Sequence, residues 1–183
     1  MQERKNNIEN RHILTGVERT FLPDEIVVSK TNLKGQITYA NKIFLQLAGY
    51  SEERLIGAPH SIIRHPAMPR GVFRLLWDKL ATKDEVFAFV LNRSMNGDHY
   101  WVLAHVTPTL DAQGGVTGYH SNRRVVDKKI LESFIQPLYT TMLANEHKHA
   151  NAVAAADAGK ATLESILQQK GLSYDEFLFS LVR

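Results

Sequence analysis

His60, Arg64 and His65 stand close together in a stretch punctuated by Pro59, Pro66 and Pro69. Proline fixes the backbone, so such a loop can hold side chains in place without a ladder of backbone bonds. A guanidinium offers planar paired donors that suit a phosphate, and an imidazole can bond a phosphate or a sugar oxygen. On residue type alone, a solvated basic loop explains the three better. Trp77 follows Phe73 by one helical turn, so both can face one side, where an indole either stacks on a bound ring or fills an ordinary core. Asn92 ends an otherwise apolar run, and its amide carries both a donor and an acceptor; the alternative is a plain strand-ending turn residue. Asn41 precedes a helical pattern and fits an N-cap equally well.

Other chemistries find little support. The eight histidines form no closely spaced cluster with acids, and there is no cysteine. That removes disulfides, thiolate metal sites and cysteine nucleophiles, so any cofactor is expected to be held non-covalently. No glycine-rich phosphate loop, nucleophile elbow or paired acid and base stands out, and an enzyme is the weakest class. Twenty-two Lys and Arg against nineteen Asp and Glu leave a net charge of +3, scattered rather than gathered into a stripe, which argues against a nucleic-acid partner. Apolar stretches such as residues 86–91 are far shorter than the ~20 residues of a membrane-spanning helix. Residues 1–11 are mostly polar and lack the apolar centre of a secretion signal. The expectation is a cytoplasmic protein without membrane insertion.

The elements that must position these residues are legible as patterns. Residues 25–31 and 36–40 read as a hairpin around the turn at 32–35. Residues 41–48 carry helical spacing that stops at Gly49, and Ser51 is expected to cap a short turn with its hydroxyl. Pro69 suits the first turn of a helix running to about Ala81, with Val72, Leu75, Leu76 and Leu80 inward. Two β-type runs, 85–92 and 100–110, flank the hairpin signal Asn96-Gly97-Asp98, and a third covers 116–126. This order predicts an α+β fold, an antiparallel sheet with helices on one face and any pocket between them. After residue 127 the pattern turns helical. Ile130, Leu131, Phe134, Leu138, Met142 and Leu143 make a stripe broken by Pro137, residues 152–167 favour helix, and Ser173 caps a last helix bearing Phe177, Leu178 and Leu181. That tail reads either as an interaction or dimerisation element, or as a segment packed back on the sheet. The division is an N-terminal cap segment (1–24), a sheet-bearing domain (25–126), and a helical extension (127–183).

Residues 37–41 (ITYAN), 49–51 (GYS) and 55–57 (LIG) resemble the first half of a PAS domain. The stretch PHSIIRHPAMP at 59–69, with Phe73, Trp77, Asn92-Arg93, NGDHYWV at 96–102 and Gly118-Tyr119, resembles more particularly the FAD-binding PAS domains of bacterial aerotaxis receptors. The likeness runs from about Ile26 to Arg123. It implies a five-stranded PAS fold, FAD held by Asn41, His60, Arg64, His65, Trp77 and Asn92, and redox or oxygen sensing. Haem is the second cofactor choice, since a single histidine ligates it in some PAS domains; a PAS interaction module with no cofactor is the other alternative. The sequence departs from the family at Ala67, where an aspartate is usual, and at Val86 and Ala88, where tryptophan and glycine are usual. Aerotaxis receptors also carry a membrane anchor and a signalling region that this sequence does not contain. The signal is therefore expected to pass to a partner protein, with Phe134, Leu138, Met142, Phe177 and Phe179 suggesting a homodimer.

Overall fold

The computed structural model describes residues 13–182. Strands β1 (Val27–Asn32), β2 (Ile37–Ala40), β3 (Val86–Arg93), β4 (His99–Leu110) and β5 (Val116–Arg124) form one antiparallel sheet in the order β2-β1-β5-β4-β3. The first and last strands are therefore neighbours at its centre. Between β2 and β3 the chain forms α1 (Lys42–Ala48), α2 (Glu52–Leu55), a 3₁₀ turn at His60–Ile63 and α3 (Arg70–Ala81).

Side chains alternate between the faces of a strand, so register decides what meets what. Val27, Ser29 and Thr31 lie opposite Arg123, Ser121 and Tyr119. Ala104 and Val106 lie opposite Arg123 and Ser121, while Val90 and Asn92 face Val102 and Tyr100. One face thus collects Ser29, Thr31, Val90, Asn92, Ala104, Val106, Tyr119, Ser121 and Arg123. The opposite face carries Phe87, Phe89, Leu91 and Trp101 on β3 and β4. A single-residue slip would exchange the two sets, which fixes the pairing.

Local signals hold in most places and yield in three. Asn41 caps α1, accepting from the Phe44 amide at 3.1 Å, and Gly49 ends the helix at φ 72°. Ser51 stands at the N-cap of α2 but makes no side-chain cap bond, and backbone bonds alone close that single turn. Pro69 is the N-cap of α3 rather than part of its first turn; the free amides of Arg70 and Gly71 are instead bound by the Glu146 carboxylate at 2.9 and 2.8 Å. Pro137 does not break its stripe. A turn at Lys128–Ile130, a π-helical stretch at Leu131–Ile135 and helix α4 (Gln136–Glu146) run on continuously, with the Gln136 amide bonded to the Leu131 carbonyl. The widened turn makes room for a ring that has no N–H to donate.

Helices α5 (Ala152–Lys170) and α6 (Tyr174–Leu181) complete the extension, the latter opened by the expected Ser173 cap in a full capping box with Glu176. The extension packs on the body. α5 lies against α3 and α4, and Leu131, Ile135, Tyr139, Met142, Leu163, Leu167 and Leu178 join the central hydrophobic core. At the free edge of β3 the Tyr139 and Tyr174 hydroxyls donate to the Phe89 and Phe87 carbonyls at 2.6 and 2.8 Å. Those carbonyls have no strand partner, and the phenols blunt an edge that would otherwise recruit another chain. Of the stripe that suggested self-association, Met142 is fully buried and Leu138 and Phe177 pack on the core, while Phe134 and Phe179 remain exposed.

Ahead of β1, Thr15 and Arg19 bond the two oxygens of Asp98 at 2.7 and 2.8 Å, and Phe21 enters the core. Residues 1–12 of the expected cap segment lie outside the described residues.

Candidate functional site

Between α3 and the sheet lies a cavity of about 280 Å³. Leu76, Trp77 and Leu80 of α3, with Val90, Ala104 and Val106, make it largely apolar. Asn92, Ser121 and Arg123 on the sheet and His60 and Arg64 on the connecting loop bring polar groups into it.

Arg123 is the principal residue that the sequence reading did not single out. It is buried, and one terminal nitrogen donates to Ser29 Oγ at 2.8 Å and to His60 Nε2 at 2.7 Å. Its other terminal nitrogen, Nη1, has no hydrogen-bond partner. The guanidinium lies over the Phe44 ring at 5.2 Å, and the same ring stacks on His60 at 5.9 Å. Because arginine only donates, Nε2 of His60 must accept and the ring must be neutral. Burial, with Arg123 beside it, accordingly pushes the His60 imidazole down to about 3. Period-two alternation along β5, which puts Tyr119, Ser121 and Arg123 on one face, was the signal that could have found this residue.

The six expected residues divide. Asn92 is 3% exposed and lines the cavity, and its buried Nδ2 has no partner. Trp77 forms the mouth, 44% exposed, its ring edge-on to Tyr119 at 5.2 Å. Arg64 lies over the Phe73 ring at 4.3 Å and donates to the Met68 carbonyl at 3.4 Å, and its backbone bridges to Asn92 at the β3 edge. Burial, then repulsion from Arg70, pushes its guanidinium down to about 10, so it stays charged at neutral pH. Two residues stand apart. Asn41 is outside the cavity, its amide bonded to the Ile26 carbonyl and the Val28 and Phe44 amides, which is the capping alternative. His65 faces a second cavity of about 490 Å³, its Nδ1 accepting from the Ala67 amide at 3.1 Å. That second cavity is lined by Arg70, Glu146, His147 and His149, and it shares Ser61 and Arg64 with the first. Burial, then His99 and Arg93, pushes the His65 imidazole down to about 4.

Of the positions where the sequence departs from its resemblance, Ala67 is exposed and Val86 packs with Leu76 and Leu80 rather than lining the cavity. Among the described residues no group of three metal-binding side chains occurs, and no helix is long and apolar enough to cross a membrane.

Two histidines held neutral have a consequence for stability. Each protonates near the ordinary 6.5 when unfolded, but only near 3 or 4 when folded, so below about pH 6.5 the unfolded chain binds more protons. Their contribution is complete above that pH and is lost as pH falls through the folded values. The thermal midpoint is expected to fall between about pH 7.5 and about pH 5, and less steeply in His60→Gln. A midpoint indifferent to pH over this range would contradict the arrangement.

A central antiparallel sheet ordered β2-β1-β5-β4-β3, with helices over a cavity on one face, defines a PAS fold, and residues 37–123 match the PAS fold family. Among curated proteins the chain is similar to the aerotaxis receptor of Escherichia coli K12, 39% identical across 66% of this chain and 24% of that protein. It is also similar to the nitrogen fixation regulatory protein of Klebsiella pneumoniae, 26% identical across 72% of this chain and 27% of that one. The chain thus spans about a quarter of the length of these relatives. Among solved structures, the light-state LOV domain of the blue-light photoreceptor Aureochrome1 superposes with a TM-score of 0.54 at 22% identity, covering 61% of this chain and 89% of that one.

Proposed function

We propose that this chain is a sensory module that holds FAD non-covalently and passes redox or oxygen state to a partner protein in the cytoplasm, turning over no substrate. The observation that carries the reading is the pair of buried, unpartnered donors, Asn92 Nδ2 and Arg123 Nη1, which share one cavity. Buried donors without acceptors are costly, so a cavity that keeps two is fitted to a ligand that supplies the acceptors. A flavin ring has such acceptors along one edge and two flat faces, which suit Trp77 and the apolar wall. The volume lies near the lower end of the ~300–1,000 Å³ usual for cofactor sites, enough for the ring and not for the whole dinucleotide. The second cavity shares Arg64 with the first and is lined also by Arg70 and His65 beside Glu146, and its cationic donors suit phosphates, which supports FAD over a smaller flavin. Similarity to the aerotaxis receptor supports the sensory role. Haem is less well served, because Nε2 of the cavity histidine His60 is already bonded to Arg123 and Ser29.

When bound, the flavin supplies reversible electron transfer; the protein supplies orientation and charge around it. A change of ring charge beside Asn92 alters hydrogen bonding at the β3 edge, where Arg64 bridges and the extension docks. The exposed rings of Phe134 and Phe179 offer a surface for the partner or for a second copy of the chain.

An absorption spectrum of the purified protein tests the reading. Flavin bands are expected. A Soret band would replace the cofactor with haem, and protein that stays colourless after incubation with FAD would leave an interaction module. Arg64→Ala should weaken FAD about ten- to a hundredfold, the loss of a charge-assisted contact of roughly 1.5–3 kcal/mol, and leave riboflavin unchanged. Trp77→Ala should weaken both, because both present the ring. Titrations of fluorescence quenching on variants with parental circular dichroism check this; equal losses for the two ligands in Arg64→Ala would remove the phosphate contact.

A further inference from the structure

Arg123 is a buried cation that faces the cavity, and among the described residues no carboxylate is bonded to it. Its hydrogen-bonded neighbours are Ser29 Oγ and the neutral ring of His60, and its Nη1 has none. Two further groups on the same sheet face, Ser121 Oγ and Asn92 Nδ2, are likewise unpartnered, and both line the cavity. This wall therefore offers hydrogen-bond donors and one full positive charge. Phe44 closes it behind, its ring stacked on His60 and lying under the guanidinium. A charge in so dry a setting acts more strongly on whatever occupies the cavity than it would in water.

We propose that Arg123, fixed by Ser29 and His60, sets the redox preference of the site by holding the reduced, anionic form of the flavin ring more tightly than the oxidised, neutral one. This rests on the flavin reading above. Reduction by two electrons places one proton on the ring, taken from water, and leaves one negative charge over its pyrimidine edge at neutral pH; the external donor loses the two electrons. A cation held against that edge stabilises the product and has little to act on in the reactant. Thermodynamic linkage then requires that preferential binding of the reduced ring raises the midpoint potential of the bound cofactor above that of the free one. Ser29 and His60 are positioning residues in this account: they hold the guanidinium without neutralising it, which an aspartate or glutamate in their place would do.

The test is an equilibrium reduction of FAD-loaded protein with dithionite and a reference dye, followed by absorbance. In the parent, the two-electron midpoint should lie above that of free FAD measured in the same buffer. Arg123→Gln should lose at least tenfold of the preference for the reduced form, which lowers the midpoint by about 30 mV or more. Arg123→Lys, which keeps the charge, should retain most of it. A bound midpoint at or below that of free FAD overturns the proposal without any variant, even where Arg123→Gln does not fold. So does an unchanged midpoint in a folded Arg123→Gln. If instead the parent takes up no FAD, the flavin reading itself fails, and that result is separate from both.

Discussion

Ending the chain after Arg124 is expected to abolish the stable fold of the PAS body, not merely to remove an output segment. Leu131, Ile135, Tyr139, Met142, Leu163, Leu167 and Leu178 are each within a few per cent of complete burial, and they share one core with Val27, Phe44, Phe89 and Trp101. At about 1.5–3 kcal/mol for each buried side chain, several such losses are comparable with the ~5–15 kcal/mol that holds a whole domain together. The truncation also uncovers Phe87, Phe89 and Leu91 on an edge strand. The same cut removes the Tyr139 and Tyr174 hydroxyls from the carbonyls of that strand. An apolar edge strand with unpaired backbone groups is a template for aggregation. Expression of residues 1–124 should give insoluble or molten material, read by sedimentation and by loss of near-ultraviolet dichroism. A soluble, monomeric fragment with a sharp thermal transition would show that the extension is dispensable to the body.

The sheet was legible because its determinants are local. The Asn96-Gly97-Asp98 turn and the alternation along 85–92 and 100–110 specify a hairpin without reference to the rest of the chain, and Gly49 stops α1 where the left-handed conformation is needed. The placement of the extension was not legible in the same way. A stripe such as Leu131, Leu138 and Met142 states that a face must be covered, and only the three-dimensional arrangement states that α5, α3 and the core of the body cover it. The site shows the same division. Trp77, His60 and Arg64 come from one segment, and the motif they form there, rather than residue type alone, pointed to them. Arg123 lies 63 residues from His60 and meets it only because β5 inserts beside β1, a pairing of high sequence separation that no short-range pattern records. Asn41 and His65 match the expected motif equally well, and both stand outside the main cavity because backbone groups nearby engage them first.

Glu146→Ala is expected to cost about 3 kcal/mol, a large effect for one side chain, because the carboxylate is bonded at both oxygens in a buried place. Pro69 leaves α3 without a side-chain cap, and Glu146 provides one from 75 residues away by accepting from Gly71 at 2.8 Å and from Arg70 at 2.9 Å. On the side of the helix crossing the packing is tight. A Cβ built on Gly71 would lie 2.3 Å from the Lys160 amide nitrogen, and one on Gly159 would lie 2.0 Å from Glu146 Oε1. The two helices thus meet backbone to backbone, with the carboxylate enclosed beside them. Alanine would leave two helical amides without the carboxylate that accepts from them, with only water from the second cavity to take its place. Glutamine keeps one acceptor but sets its NH₂ against an amide donor, so Glu146→Gln should fall between alanine and the parent. Urea unfolding should show a lower midpoint with an unchanged slope in both variants. Because Pro69 joins α3 to the loop bearing Arg64, Glu146→Ala should also weaken FAD more than riboflavin, through the position of that guanidinium. An unchanged urea midpoint in Glu146→Ala would mean that the amides of α3 find other acceptors, and that the extension does not order the cofactor loop through this carboxylate.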